Sequence, residues 1–419
     1  MFELRSYQIE IAQKACEKLK TLGLVYIAAQ VRCGKTHMSL EAARLYGAKN
    51  VLFVTKKKAI KSIEGDFKDG GYKFNIEIIN SESIHKAEMK NPDIVILDEA
   101  HQYAALPKPS NRTKEIKQRY GKLPLIFLSG TPTPENWSQI FHQLWISARS
   151  PFSKYVNFYK WAQDYVKVYQ VNMGYATVNQ YDRARQELIR PIVEPYFLTF
   201  TQQEAGFQSQ VVEHFLYVDM LPKTYNMIEL LKNDFFIEGK NGITITAGSA
   251  VALMSKIHQL GSGTIKADNE IGYTIDTTKA DFIKETFKGV KIGIFYKFKE
   301  EYEMLKKVFG DQICNTLDEF NGTDKNIALQ IVAGREGISL KEAKYLVYLC
   351  PDFSATSYEQ SKARTQTKDR LETEVFWIFS KDTIDEDVYK KVKSKGKYTS
   401  SYYLKSHGIN FPKQANQTI

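Results

Sequence analysis

The run Ile94-Val95-Ile96-Leu97 leads without a break into Asp98-Glu99-Ala100-His101. Four consecutive apolar residues suit a strand covered on both faces, because a half-exposed strand would alternate apolar with polar. Two acids at its end then stand at the rim of a parallel sheet, where such sheets hold their ligands. Upstream, Leu24-Val25-Tyr26-Ile27-Ala28 reads as a second buried strand, and Cys33-Gly34-Lys35-Thr36 follows it. Glycine, lysine and a hydroxyl in that order suit a phosphate: Gly34 frees backbone N–H groups at a helix N-terminus, where the dipole also favours an anion. Lys35 would reach the terminal phosphates, and the Thr36 hydroxyl would hold Mg2+.

The two strand ends complete each other. Asp98 is expected to bind Mg2+ through water, and Glu99 to polarise the attacking water. A lone Asp-Glu pair is usually a solvated turn, and a lone Gly-Lys-Thr only a moderate signal. Their joint occurrence, each behind a buried strand, points to ATP hydrolysis, with ATP and Mg2+ as the bound species.

Further apolar runs at Val51–Val54, Ile76–Ile79 and Leu125–Leu128, with helical spacing from Ile9 to Leu19, extend the pattern over residues 8–145. Strands alternating with helices predict a doubly wound α/β domain. Residues 146–205 break the pattern. They are aromatic-rich (Phe152, Tyr155, Phe158, Tyr159, Trp161, Tyr165, Tyr169) and read as helices and connections. The spacing of those rings favours helix packing over base stacking. From Val211 strands return, at Val211–Val218, Val290–Phe295, Ile327–Val332, Tyr345–Leu349 and Glu374–Phe379, with a helix after Pro222. Beyond Asp387 the chain holds seven lysines, four tyrosines and no acid, which suits either a solvated end or a phosphate grip.

At 419 residues, two or three compact units are expected, and a 43% apolar share supplies their cores. A net charge of +10 suits a polyanionic partner. Four separated cysteines, without a CxxC pair, argue against a disulfide framework or a zinc site; Cys33 is a candidate for alkylation. No run approaches the ~18 apolar residues of a membrane span, and Met1–Arg5 lacks the apolar core of a secretory signal. A cytoplasmic chain without membrane contact is expected.

These motifs together resemble the superfamily 2 helicases and translocases, most closely the Swi/Snf-type, DEAH-box branch and its small phage and bacterial relatives. Leu4-Arg5-Ser6-Tyr7-Gln8 is similar to the family's adenine-reading motif, with Arg5 and Gln8 at the nucleotide and the Gln8 amide on the base. Val31–Thr36, including Arg32 and Cys33, resembles its phosphate loop, and Asp98–His101 its DEAH box. Ser129-Gly130-Thr131-Pro132 resembles the motif through which Ser129, Thr131 and His101 couple nucleotide to nucleic acid. Val51–Lys58, with Lys56, and Asn80-Ser81-Glu82 stand where strand-contacting motifs lie. Farther on, Lys291–Phe298 resembles the strand that opens the second motif series. Gly337-Ile338-Ser339-Leu340 resembles the GxNL motif, with Gly337 at the nucleotide and Ser339 at nucleic acid. Tyr358-Glu359-Gln360 with Arg364 resembles the final motif, which implies Gln360 and Arg364 as hydrolytic residues.

The resemblance implies two tandem RecA-like doubly wound parallel-sheet domains with a helical connecting segment. Their expected limits are 1–148 and 206–390, with the connector at 149–205 and a basic tail at 391–419. It implies a monomeric ATP-dependent DNA helicase or translocase of replication, recombination or repair, phage- or mobile-element-encoded and acting in a host cytoplasm. Its track would be single-stranded, duplex or forked DNA, with replication or recombination proteins as further partners. An RNA helicase and an ATP-gated DNA-binding remodeller that does not unwind are the alternatives. Departures from the family pattern are Ala29 at the first position of GxxxxGK[ST], Arg32 for a glycine, and Thr367 for a second arginine. Slow turnover, or strong dependence on nucleic acid, follows from the last, unless Lys368 or Arg370 substitutes.

Overall fold

The structure is a computed structural model that describes residues 3–172, 177–206, 210–239, 242–331, 340–353, 372–394 and 399–409. The chain divides into two compact units, Met1–Phe207 and Gln208–Ile419.

In the first unit the strands are β1 (Leu24–Ala29), β2 (Asn50–Thr55), β3 (Asn75–Asn80), β4 (Ile94–Leu97), β5 (Leu125–Leu128), β6 (Tyr169–Asn172), β7 (Thr177–Gln180) and β8 (Phe197–Phe200). Six of them make one sheet in the order β3-β2-β4-β5-β1-β8, with every pair parallel. The helices are α1 (Ser6–Leu22), α2 (Lys35–Tyr46), α3 (Ile60–Asp69), α4 (Asn111–Tyr120), α5 (Ile140–Trp145), α6 (Phe158–Tyr165) and α7 (Gln186–Val193).

The apolar runs are explained by burial on both faces. Val25 and Ile27 pack with Ile11, Ala15 and Leu19 of α1 and with Met38 and Leu40 of α2. Leu24 and Tyr26 face the other way, onto Ile116, Phe141, Leu144, Trp161 and Ile189. All four residues of β4 are 0% exposed; each such side chain contributes about 1.5–3 kcal/mol of transfer free energy. Helix α1 stops at Gly23, whose φ of 73° only glycine adopts cheaply and whose N–H bonds the Leu19 carbonyl.

Residues 146–205 differ in part from their reading as helices and connections. Helices α6 and α7 form there, and Phe152, Phe158 and Trp161 are buried around Phe141, so packing accounts for those rings. Three strands also form. Phe197–Phe200 closes the first sheet as a parallel partner of β1; its signal is only four residues long and follows Pro195, which reads as a breaker. Strands β6 and β7 pair as a hairpin, whose Gln and Asn residues mask the alternation.

The second unit contains β9 (Gln210–Val218), α8 (Pro222–Asp234), β10 (Phe236–Glu238), β11 (Thr244–Thr246), α9 (Ala250–Gly261), β12 (Thr264–Lys266), β13 (Gly272–Thr274), α10 (Thr278–Thr286), β14 (Ile292–Tyr296), α11 (Lys299–Phe309), β15 (Ile313–Cys314), α12 (Leu317–Gly322), β16 (Asn326–Gln330), β17 (Tyr345–Tyr348) and β18 (Glu372–Ser380), then α13 (Asp385–Lys393) and α14 (Ser400–Ser406). Its main sheet runs β15-β16-β14-β17-β18-β9, again wholly parallel. The two units are therefore tandem RecA-like doubly wound domains.

A buried ion pair ties α13 into the second unit. Lys279 Nζ donates to Asp385 Oδ2 at 2.5 Å and to the Leu349 carbonyl at 3.0 Å, and both charged side chains are 0% exposed. The lysine-rich end is partly folded: Tyr403 is fully buried and Lys393 pairs with Glu213 at 2.7 Å. Lys395, Lys397 and Tyr398 lie outside the described residues.

Candidate active site

The sheet order gathers the first unit's motifs at one edge. The carboxyl ends of β3, β2, β4, β5 and β1 lie side by side and carry, in turn, Asn80, Lys56, Asp98, Ser129 and the loop from Gln30 to Gly34.

The phosphate loop is built around two left-handed residues, Arg32 at φ 65° and Gly34 at φ 84°. Arg32 adopts this conformation despite its Cβ, at the position where the family pattern has glycine. Helix α2 begins at Lys35 with no side-chain cap, and a helix start of this kind suits an anion. Lys35 Nζ donates to the Ala29 carbonyl at 3.0 Å and the Gln30 carbonyl at 3.4 Å. It thus lies across its own loop, on weak acceptors that a phosphate would displace. Burial pushes the Cys33 thiol up to about 11, and the residue is 0% exposed, which keeps it unreactive.

Gln8 is packed against this loop and 3% exposed. Its Oε1 accepts from the Arg5 backbone N–H at 2.9 Å, and its Nε2 points at the Cys33 carbonyl, 3.5 Å away. A Cβ on Gly34 would fall 2.1 Å from Gln8 Nε2 and push that amide aside, while the φ of 84° is what favours glycine there.

The acid turn follows β4. Asp98 Oδ2 accepts from Thr55 Oγ1 at 2.8 Å, and Asp98 Oδ1 from the Glu99 N–H at 2.9 Å. Burial, and then the neighbouring Glu99 carboxylate, push Asp98 up to about 6; Thr55 and Lys35 pull the other way. Glu99 sits at φ 48°, and its Oε2 is 3.2 Å from His101 Nδ1. His101 Nδ1 is also 3.0 Å from Ser129 Oγ, which accepts the Thr131 N–H at 3.1 Å. The DEAH box and the Ser129–Thr131 segment are therefore joined through one hydroxyl.

These residues fit ATP and Mg2+. The uncapped helix start and Lys35 suit phosphates. The half-buried Asp98, pushed up by desolvation and by the Glu99 carboxylate beside it, suits a cation, and Thr131 Oγ1 is buried with no protein partner. Among the described residues no cluster of three or more His, Cys, Asp or Glu side chains forms a metal cage.

Gln102 and Arg112 are missed by sequence reasoning, and Thr55 and Ser81, which lie in the strand-contacting motifs, make contacts with the acid turn that the sequence does not announce. Gln102 Nε2 donates to the Asp98 carbonyl at 3.0 Å. Its Oε1 accepts from Ser81 Oγ at 2.9 Å and from Arg112 Nη1 at 3.2 Å. The signal for the Thr55 contact is a polar residue ending an apolar strand. Asn80 accepts from the Glu82 N–H at 3.4 Å, beginning the turn after β3. Gly337, Ser339, Gln360 and Arg364, with Thr367, Lys368 and Arg370, lie outside the described residues. No helix among the described residues is long and apolar enough to cross a membrane.

No protein-family model matches the chain, and no curated protein matches it. Solved structures do. The Sulfolobus solfataricus SWI2/SNF2 ATPase core in complex with dsDNA is 15% identical over 97% of this chain and 94% of that one, with a TM-score of 0.43. The Pyrococcus furiosus Hef helicase domain is 14% identical over 92% of this chain and 97% of that one, with a TM-score of 0.49. At such scores these likenesses carry no argument, and the fold stands on its two sheets.

Proposed function

We propose that the chain is an ATP-hydrolysing motor of the superfamily 2, Swi/Snf-type DEAH-box kind, moving on DNA. The observation that carries this reading is the single sheet edge holding Lys35, the Asp98–Glu99 pair and the His101–Ser129 contact. Lys35 and the N–H groups at the start of α2 bind the terminal phosphates, and Lys35 leaves the Ala29 and Gln30 carbonyls to do so. Thr36 and Asp98 hold Mg2+, which when bound neutralises phosphate charge and fixes the phosphate oxygens. Glu99 holds and polarises the attacking water. Arg5, Gln8, Arg32, Cys33, Gly34 and Gly337 are assigned to the nucleotide, and Gln360 and Arg364 to hydrolysis. His101, Ser129 and Thr131 relay between the reacting phosphate and the nucleic-acid side, where Lys56, Asn80 and Ser339 contact the strand. A net charge of +10 supports a polyanionic track. The setting, replication, recombination or repair by a phage or mobile-element protein in a host cytoplasm, rests on the resemblance alone, as do the monomeric state and any replication or recombination partner.

The test is displacement of a third strand from duplex DNA, beside separation of a forked duplex. The expected result is displacement that requires ATP and is lost in Lys35→Ala. DNA-stimulated ATP turnover without either displacement would replace the motor by an ATP-gated remodeller; stimulation by RNA alone would make the chain an RNA helicase.

A further inference from the structure

Glu99 at φ 48° holds a conformation that costs an L-residue about 1–2 kcal/mol, so something must keep it there. The peptide carbonyls on either side of its Cα are both held by one residue. Gln102 donates its side-chain Nε2–H to the Asp98 carbonyl at 3.0 Å and its backbone N–H to the Glu99 carbonyl at 2.9 Å. With both flanking peptides fixed, the direction of the Glu99 Cα–Cβ bond is set, and with it the point from which the carboxylate reaches.

The Gln102 amide is itself oriented from elsewhere. Its Oε1 takes hydrogen bonds from Ser81 Oγ and Arg112 Nη1, at 2.9 and 3.2 Å. Arg112 Nη1 also donates to Ser81 Oγ at 3.0 Å, closing a triangle. Two donors on Oε1 leave Nε2 facing the Asp98 carbonyl, so the amide cannot flip without losing three bonds. Ser81 is 1% exposed and follows Asn80 at the end of β3; Arg112 belongs to α4. In the order β3-β2-β4 the triangle joins the turns after β3 and β4, and the Thr55–Asp98 bond joins β2 to the same acid turn.

We propose that Gln102 is a positioning residue which aims Glu99 and links it to the Asn80–Ser81 turn, so that a nucleic-acid strand engaging that turn sets the rate of hydrolysis. This rests on the ATPase reading above and on the strand contact proposed there for Asn80. The link is separate from the His101–Ser129–Thr131 contact, because it acts on the backbone of the acid turn and begins at a different strand.

The test uses the full chain, with maximal DNA-stimulated kcat, KM for ATP and the DNA concentration for half-stimulation measured in parallel. Gln102→Glu keeps the acceptor for Ser81 and Arg112 but loses the donor to Asp98; Gln102→Met loses both at similar volume. Both lose the donor to the Asp98 carbonyl, and each is expected to lower stimulated kcat about ten-fold, roughly 1.4 kcal/mol in the transition state, with both half-saturation values within about two-fold. Ser81→Ala is expected to reduce maximal stimulation, Ser81→Thr to retain it, and Ser81→Ala with Gln102→Met to be no worse than Gln102→Met alone. Wild-type stimulation persisting in Gln102→Glu, additive losses in the double variant, or losses confined to KM for ATP would each overturn the inference. A wild-type chain that hydrolyses no ATP would instead sink the ATPase reading itself.

Discussion

Replacing Asp98 by asparagine is expected to stabilise the first unit while ending ATP turnover. Burial and Glu99 raise this carboxyl from 3.8 to about 6. At about 1.4 kcal/mol per pH unit, that gap means the folded chain gives up ~3 kcal/mol to hold the anion at neutral pH. The sign follows from linkage. A carboxyl raised on folding takes up its proton more readily in the folded state; the stabilisation is complete below pH 3.8, fades as pH rises, and is gone above about 6. Asparagine removes the charge but keeps an oxygen for the Glu99 N–H, and its amide can donate to Thr55 Oγ1. In chelator and without nucleotide, Asp98→Asn should therefore raise the melting temperature at pH 7.5 by about 5–10 °C for a unit of this size. Near pH 4 the difference should shrink to almost nothing. A pH series of melting curves for both proteins reads this directly. A variant less stable than wild type at pH 7.5, or one whose advantage does not change with pH, would refute the reasoning.

Gly34→Ala should weaken ATP binding, because a side chain is strained at φ 84° and its Cβ would displace the Gln8 amide; calorimetric titration with ATP checks it, and near-wild-type affinity would contradict it. In the second unit, Lys279→Met leaves Asp385 buried without its partner and should cost about 3–5 kcal/mol in urea unfolding, most of it recovered in Lys279→Met with Asp385→Leu. A loss below about 1 kcal/mol would mean that the pair is not the anchor of α13.

The parts of this chain that were legible in its sequence are those where one residue run meets one physical demand. Ile94–Leu97 is apolar throughout because both faces of β4 are covered, and Gly34-Lys35-Thr36 is local because a helix start is local. Phe197–Phe200 and the β6–β7 hairpin escaped because short or amide-rich strands lack that contrast. The contacts of Thr55 and Gln102 escaped for a different reason. They depend on β2 lying between β3 and β4, and strand order is a property of the packed sheet rather than of any segment. Arg32 shows the converse: the sequence marks a missing glycine, and the backbone keeps the left-handed turn regardless, at φ 65°.

The central claim is hydrolysis of ATP at the edge of the first sheet, driven by DNA. Steady-state turnover with Mg2+, alone and with single-stranded, duplex or forked DNA or with RNA, tests it most directly, with Glu99→Gln as the inactive reference. The expected result is turnover that rises several-fold with one form of DNA and is absent in Glu99→Gln. Turnover no higher than that of Glu99→Gln under every condition would contradict it.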